Sequence, residues 1–165
     1  MKVGICMGSI NDWEQLSPAA AVLERFGIQC VTRVTSVHRS PLIVHEFAEN
    51  AEKNGLEVII AAAGGAAHLP GMVAALCSLP VIGMPVKSRT MDGLDSLLSI
   101  VQMPPGVPVA TVTIGGAENA GLLAAQILSV KYPELREKIK AHKALMVTKV
   151  ITDDKVLQQR IADGK

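Results

Sequence analysis

Short, continuously apolar runs alternate along this chain with longer stretches in which apolar residues recur every three or four positions. The first pattern predicts strands buried on both faces, and the second predicts helices that cover a sheet. The predicted strands are residues 2–7, 28–35, 58–62, 81–84 and 109–114. The predicted helices cover about residues 12–26, 41–54, 66–77, 93–101 and 118–130, and a final helix begins near Pro133.

The alternation of strands and helices predicts an α/β fold. We expect a three-layer, doubly wound, parallel five-stranded sheet of flavodoxin-like order, with a C-terminal helix. Residues 1–150 are predicted to form a single α/β domain, and residues 151–165 a charged C-terminal tail that extends outward or packs on a neighbour. The final helix is predicted to carry one apolar stripe, formed by Leu135, Ile139, His142, Met146 and Val150.

The amino-acid composition indicates a folded globular protein and argues against nucleic-acid binding. The chain has 165 residues, of which 49% are hydrophobic and 19% charged, so it is large enough for one sizeable core and too apolar to be disordered. Aromatic residues make up only 2%, and the formal net charge is +1. Nucleic-acid binding is not expected, because it usually needs a basic face and stacking rings.

The apolar residues are concentrated in the middle of the chain, where residues 58–86 contain no Asp, Glu, Lys or Arg. Gly and Pro residues divide this segment into pieces too short to cross a membrane as a helix, so no membrane association is expected. The N-terminus shows no secretion signal, and Cys6, Cys30 and Cys77 are widely spaced in apolar runs. We therefore expect a cytoplasmic protein with small core cysteines and no disulfide framework or metal site.

Candidate chemistry follows the first three predicted strands, in the segments GSINDW (8–13), SVHRSP (36–41) and AGGAAHLP (63–70). In an open parallel sheet, ligands bind beyond the carboxyl ends of the strands. Hydroxyls, an arginine, two histidines and a Gly-rich turn therefore converge on one edge. The sequence predicts a ligand site there.

The first segment can seat an anion, since Gly8 allows close backbone approach and Ser9 adds a hydroxyl at a helix start. Alternatively, Asn11 or Asp12 simply caps the helix. The chain has neither a G-x-x-x-x-G-K-[ST] loop nor a G-x-G-x-x-G fingerprint, so ATP and NAD are not expected as ligands.

The second and third segments each carry a histidine. Ser36 and Arg39 flank His38 in a setting suited to phosphate, and an imidazole can carry a proton near neutral pH. Alternatively, His38 caps the helix and Arg39 is a surface charge. The pair Gly64–Gly65 would let a flat ligand approach the backbone near His68, although a lone histidine in apolar surroundings is also commonly a hydrogen-bonded core residue.

Four motifs, MGSINDW, SVHRSP, AAAGGAAHLPGM and DSLLSIVQMPPGVPVAT, closely resemble in order and spacing the bacterial N5-carboxyaminoimidazole ribonucleotide mutase family. The family was historically called the catalytic subunit of phosphoribosylaminoimidazole carboxylase, and the resemblance covers about residues 3–130. It implies a purine-biosynthesis enzyme that moves a carboxylate from the exocyclic nitrogen of an aminoimidazole ribonucleotide to ring carbon C4. It also implies a catalytic domain over residues 1–150, no cofactor, and a homo-octamer whose neighbouring chains complete each site.

The resemblance further implies a role for each candidate residue. His38 would be the acid–base residue. Ser9 and Arg39 would hold the 5′-phosphate of the substrate with Ser36 nearby, and Asp12 would bind the ribose hydroxyls. The pocket for the imidazole ring and the migrating carboxylate would be lined by Gly64, Gly65, Ala66 and His68, with apolar walls from Ala63, Ala67 and Leu69.

The chain departs from the family pattern at Asn11, where Ser is common, and at Val37, which adds bulk beside His38 where Ala is usual. Arg39 and His68 favour the mutase over the related class that carboxylates aminoimidazole ribonucleotide with free CO2, since that class usually has Lys at the position of Arg39. The alternatives are this CO2-dependent carboxylase and a non-catalytic nucleotide-binding module on the same fold.

The two central helices, predicted at residues 66–77 and 119–130, have little polar face. Helices that are apolar on every side need partners to cover them. We therefore expect a symmetric homo-oligomer with these two helices at its contacts.

Overall fold

The computed structural model describes residues 1–164, which form one parallel sheet with helices on both faces. The strands are β1 (Lys2–Met7), β2 (Gln29–Val34), β3 (Val58–Ala63), β4 (Val81–Pro85) and β5 (Ala110–Thr111). The helices are α1 (Trp13–Arg25), α2 (Pro41–Glu49), α3 (Leu69–Leu76), α4 (Leu94–Val101), α5 (Ala117–Leu128) and α6 (Pro133–Ala162). The strand order is β2-β1-β3-β4-β5, which confirms the predicted doubly wound fold.

The sheet separates two apolar cores, because side chains along a strand alternate between its faces. In β3 all six residues are buried. Val58 and Ile60 join the core formed with α1 and α5, whereas Ile59 and Ala61 join the core formed with α2 and α3. A continuously apolar run is therefore what a strand covered on both faces requires.

Three elements are shorter than the hydrophobic pattern predicts. Helix α3 begins at Leu69 instead of near residue 66, because Gly65 (φ +66°) and Ala67 (φ +45°) adopt left-handed conformations that an α-helix excludes. Strand β5 has only two residues, and it pairs with β4 alone at one edge of the sheet. Helix α2 ends at Glu49 and is followed by tight turns.

Helix α6 runs for 30 residues, without a break at residue 150. Its first turns pack on α5, where Leu135 is buried and Ile139 contacts the core, and His142 is half-buried. Residues 143–162 are all exposed, including the last two residues of the predicted stripe. Within residues 1–164, no helix combines the length and the apolar character needed to cross a membrane. The single chain thus covers only the first part of the apolar stripe.

Helices α1 and α5 approach each other closely at Gly121. A Cβ atom there would lie 2.9 Å from both the Ala19 carbonyl oxygen and Val22 Cβ, neither of which can rotate away. We expect Gly121→Ala to lower the free energy of unfolding by about 1 kcal/mol, because overpacking costs about 1–3 kcal/mol and outweighs a helix-propensity gain of about 1 kcal/mol. Urea denaturation measures the change, and Ala21→Gly on the exposed side of α1 isolates the propensity effect. A stabilised Gly121→Ala protein would contradict the close contact.

Candidate active site

A cavity of about 400 Å³ opens at the carboxyl ends of β1, β2 and β3. Because β1 lies between β2 and β3, this edge is where the winding of the sheet changes direction, and α/β folds bind ligands at such points. Seven of the nine predicted site residues line the cavity: Ser9, Asp12, Ser36, His38, Arg39, Gly64 and His68. The rest of the lining is Gly8, Val37, Ala63, Ala67 and Leu69.

Ser9 and Asp12 bracket a short 3-10 turn (Ile10–Asp12) that leads into α1. The Ser9 N–H donates to Asp12 Oδ2 at 3.0 Å, and Ser9 Oγ accepts from the Asn11 N–H at 3.3 Å. Burial raises the pKa of the Asp12 carboxyl, and the Ser9 N–H and the Arg39 guanidinium oppose that rise. Asp12 occupies the N-cap position of α1, but its side chain makes no capping hydrogen bond to that helix, so the alternative of a cap by Asn11 or Asp12 is not what the structure shows. Ser9 instead caps the short turn with Asp12 as its partner, and both residues also face the cavity.

Arg39 is fixed against the end of β1. Its Nη2 donates to the Gly8 carbonyl oxygen at 2.6 Å, and its Nε donates to Ser36 Oγ at 3.2 Å. A guanidinium has about five N–H donors, so further donors remain for a ligand. A fixed cation beside the Ser9 and Ser36 hydroxyls suits a phosphate group.

The two histidines from separate segments meet in the cavity. His38 Nε2 lies 2.7 Å from His68 Nδ1, and the ring planes are inclined at 76°. A hydrogen bond between two imidazole nitrogens needs a proton on one and a lone pair on the other, so this contact holds one proton. His68 is thus not an isolated core histidine. The other two histidines, His45 and His142, lie outside the cavity lining.

The turn after β3 that contains Gly64 and Gly65, here called the glycine turn, is held by hydrogen bonds from residues that do not line the cavity. The Gly65 N–H donates to Ser96 Oγ at 2.9 Å, and Ser99 Oγ donates to the Gly65 carbonyl oxygen at 3.4 Å. Gly65 and Ala66 belong to this turn but do not line the cavity. Ser96 was not found from the sequence, because a helical serine is usually exposed, and its only signal was its place in the DSLLSIVQMPPGVPVAT motif.

Within residues 1–164, no three His, Cys, Asp or Glu side chains lie close enough together to form a metal site. All three cysteines are free thiols. Complete burial raises the pKa of the Cys6 thiol to about 12. Cys6 is therefore a neutral core group at neutral pH.

A family model described as AIR carboxylase matches residues 2–149. The chain belongs to the AIR carboxylase family. A relative from Saccharolobus solfataricus, named N5-carboxyaminoimidazole ribonucleotide mutase, is 63% identical over 139 residues, which cover 84% of this chain and 88% of that protein. A relative of the same name from Thermotoga maritima is 56% identical over 158 residues, which cover 96% of this chain and 92% of that protein.

Among solved structures, the crystal structure of Treponema denticola PurE matches with a TM-score of 0.83 at 30% identity, covering 93% of this chain and 96% of that chain. This match confirms the predicted flavodoxin-like fold class. Membership of the AIR carboxylase family confirms the resemblance drawn from the four sequence motifs.

Proposed function

We propose that this member of the AIR carboxylase family converts N5-carboxyaminoimidazole ribonucleotide to 4-carboxy-5-aminoimidazole ribonucleotide in purine biosynthesis. The proposal rests on one observation. The same cavity contains Arg39 with neighbouring hydroxyls, which suit a phosphate, and the hydrogen-bonded pair of His38 and His68, which holds a proton. The names of relatives 56–63% identical to this chain support the same reaction.

The reaction moves a carboxylate from nitrogen to carbon, with His38 as acid and then base. Protonated His38 gives its proton to the exocyclic nitrogen, and the N–C bond to the carboxylate breaks to release CO2. Ring carbon C4, activated by the amino group, attacks the CO2, and the proton that C4 loses returns to His38. The residue ends in its starting state, so atoms and charge balance. The apolar walls at Ala63, Ala67 and Leu69 would retain CO2 and exclude water.

The remaining site residues would bind and orient the ribonucleotide. Ser9 and Arg39 would hold the 5′-phosphate with Ser36 beside them, and Asp12 would bind the ribose hydroxyls. The imidazole ring and the carboxylate would lie against the turn Gly64, Gly65, Ala66 and His68. Because Gly65 and Ala66 lie outside the cavity lining, they would act through the backbone shape of the turn.

The test is conversion of the N-carboxylated ribonucleotide by the purified protein, run beside aminoimidazole ribonucleotide with added CO2. We expect the first substrate to be converted rapidly without ATP and the second slowly. Rapid conversion of aminoimidazole ribonucleotide and CO2 alone would establish the CO2-dependent carboxylase instead. Calorimetric binding of ribonucleotide without conversion of either substrate would establish a non-catalytic module.

We further infer a cytoplasmic homo-octamer in which neighbouring chains complete each site. Each of α2, α4 and α6 exposes at least two large apolar side chains, among them Leu42 on α2 (82% exposed), Leu98 on α4 (48%) and Leu145 on α6 (68%). Soluble chains rarely leave large contiguous apolar patches uncovered. Of the two helices expected at the contacts, α3 exposes Met72, whereas α5 is covered by α1 and α6 within the chain. Helices α2, α4 and α6 are therefore the better candidates for contacts.

Removing residues 144–165 is expected to convert the octamer to smaller species, because this deletion takes away the uncovered apolar part of α6. Light scattering at micromolar concentration measures the assembly, and circular dichroism checks that the α/β domain remains folded. Deleting only residues 163–165, beyond the end of α6, is the matched control and should leave the octamer intact. A monomeric full-length chain would contradict the assembly, and an octameric 1–143 chain would contradict the role of α6.

A further inference from the structure

Ser96 on α4 is completely buried, and its hydroxyl joins three parts of the fold. Ser96 Oγ accepts a hydrogen bond from the Gly65 N–H at 2.9 Å and donates to the Val86 carbonyl oxygen at 2.8 Å. It thereby links helix α4 to Val86, which directly follows β4, and to the glycine turn after β3. None of these three residues lines the cavity.

The turn that Ser96 holds has a backbone conformation that needs support. Ala67 has φ +45°, in a region that disfavours residues with a Cβ atom, and Gly65 has φ +66°. Strained backbone persists only where the surrounding structure holds it. Ala67 is buried, and it directly precedes His68, the N-cap residue of α3. The position of the His68 ring therefore depends on the shape of this turn.

The backbone of Ser96 is itself held by the side chain of the neighbouring Asp95. Asp95 Oδ1 accepts from the Ser96 backbone N–H at 2.9 Å and from Ser88 Oγ at 2.7 Å. Ser99 makes the weaker contact with the turn: its hydroxyl is 3.4 Å from the Gly65 carbonyl oxygen but 2.8 Å from the Asp95 carbonyl oxygen. Ser96 is thus the main side chain that fixes Gly65.

We propose that Ser96 is a positioning residue for the proposed mutase reaction. By holding Gly65 it fixes the turn that brings His68 Nδ1 within 2.7 Å of His38 Nε2. This inference rests on the proposed function. The residues suited to phosphate, around Arg39, lie on the segments after β1 and β2. The loss of Ser96 therefore displaces the histidine end of the cavity and leaves the phosphate-binding end in place.

Ser96→Ala is expected to lower kcat by about tenfold or more, because misplacing reacting groups by about 1 Å can cost up to about 100-fold. KM should change by less than about threefold, since the phosphate contacts do not move. Ser99→Ala is the matched control, as it removes a hydroxyl from the same helix with only the longer contact to Gly65. It should retain kcat within about twofold of the unmodified protein.

Two measurements separate positioning from simple support of the fold. In the His68→Ala background, adding Ser96→Ala should lower kcat little further, because Ser96 acts through His68. The 15N resonances of the His38 and His68 rings should shift in Ser96→Ala and stay unchanged in Ser99→Ala. Full additivity of the two substitutions, or an unchanged kcat and ring spectrum in folded Ser96→Ala, would overturn the proposal.

If Ser96→Ala does not fold, Ser96→Cys replaces it, because a thiol has a similar shape and hydrogen-bonds more weakly. Its kcat should fall several-fold, and its ring resonances should shift. A Ser96→Cys protein with unchanged kcat and spectrum would overturn the proposal. The ring spectra can be recorded without turnover, so they separate failure of this inference from failure of the proposed mutase reaction. If only the mutase reaction is wrong, the unmodified protein will be inactive but the ring 15N resonances will still shift in the Ser96 variant.

Discussion

Replacing His38 by Asn is expected to lower kcat for the N-carboxylated ribonucleotide by about 10²–10⁴-fold, the usual contribution of a general acid–base residue. Asn can still hydrogen-bond toward His68 Nδ1, but it cannot take up and release a proton near neutral pH. His38 is exposed in the cavity, so its replacement should leave the fold intact. Steady-state kinetics with the mutase substrate and calorimetry with aminoimidazole ribonucleotide measure the two effects.

The matched control is His45→Asn, because His45 is exposed on α2 and pairs with Glu49 at 3.3 Å, outside the cavity. It should keep full turnover. A His38→Asn protein with kcat within about tenfold of the unmodified protein would remove His38 from the acid–base role. Equal losses of binding and turnover would instead assign His38 to binding alone.

Replacing Arg39 by Ala is expected to raise KM by about 10–100-fold, because hydrogen bonds to charged groups are worth about 1.5–3 kcal/mol. The guanidinium is already oriented by the Gly8 carbonyl and by Ser36, so little side-chain entropy is lost when it meets a phosphate. KM should rise more than kcat falls, since the phosphate is remote from the reacting carbon and nitrogen. Inorganic phosphate should inhibit the unmodified protein, and inhibit Arg39→Ala more weakly.

Arg39→Lys gives the matched comparison for that experiment. Lysine keeps the positive charge but lacks the planar donors that bind Gly8 and Ser36 together, so its KM should lie between those of Arg39→Ala and the unmodified protein. An unchanged KM with a lost kcat in Arg39→Ala would move Arg39 from the phosphate to the migrating carboxylate.

The fold was predictable from the sequence because buried strands and amphipathic helices leave local periodic patterns. The run at 58–62 identified β3, and the two-core packing of Val58 and Ile59 explains why that run is unbroken. The ends of elements were less predictable. The left-handed conformation of Ala67, which delays the start of α3, is imposed by tertiary contacts and leaves no mark in composition.

The site was partly predictable for a similar reason. Parallel strands place their carboxyl ends at one edge, so residues after β1, β2 and β3 had to converge there, and His38 and Arg39 could be named before the structure. The backbone role of Gly65 and the hydrogen bonds of Ser96 could not be named. Both depend on α4 packing beside a turn more than 30 residues earlier in the chain.

The sequence by itself determined the α/β class, the strand order, the family and the edge that carries the candidate chemistry. These features follow from local periodicity and from motifs that can be compared between chains. Only the tertiary structure decided that His38 and His68 lie within hydrogen-bond distance, that Ser96 holds the glycine turn, and that α5 is covered while most of α6 is exposed. Each of these facts is a distance between segments far apart in the chain, or the burial of one such segment by another. Close packing fixes such distances and burial only when the whole chain has folded.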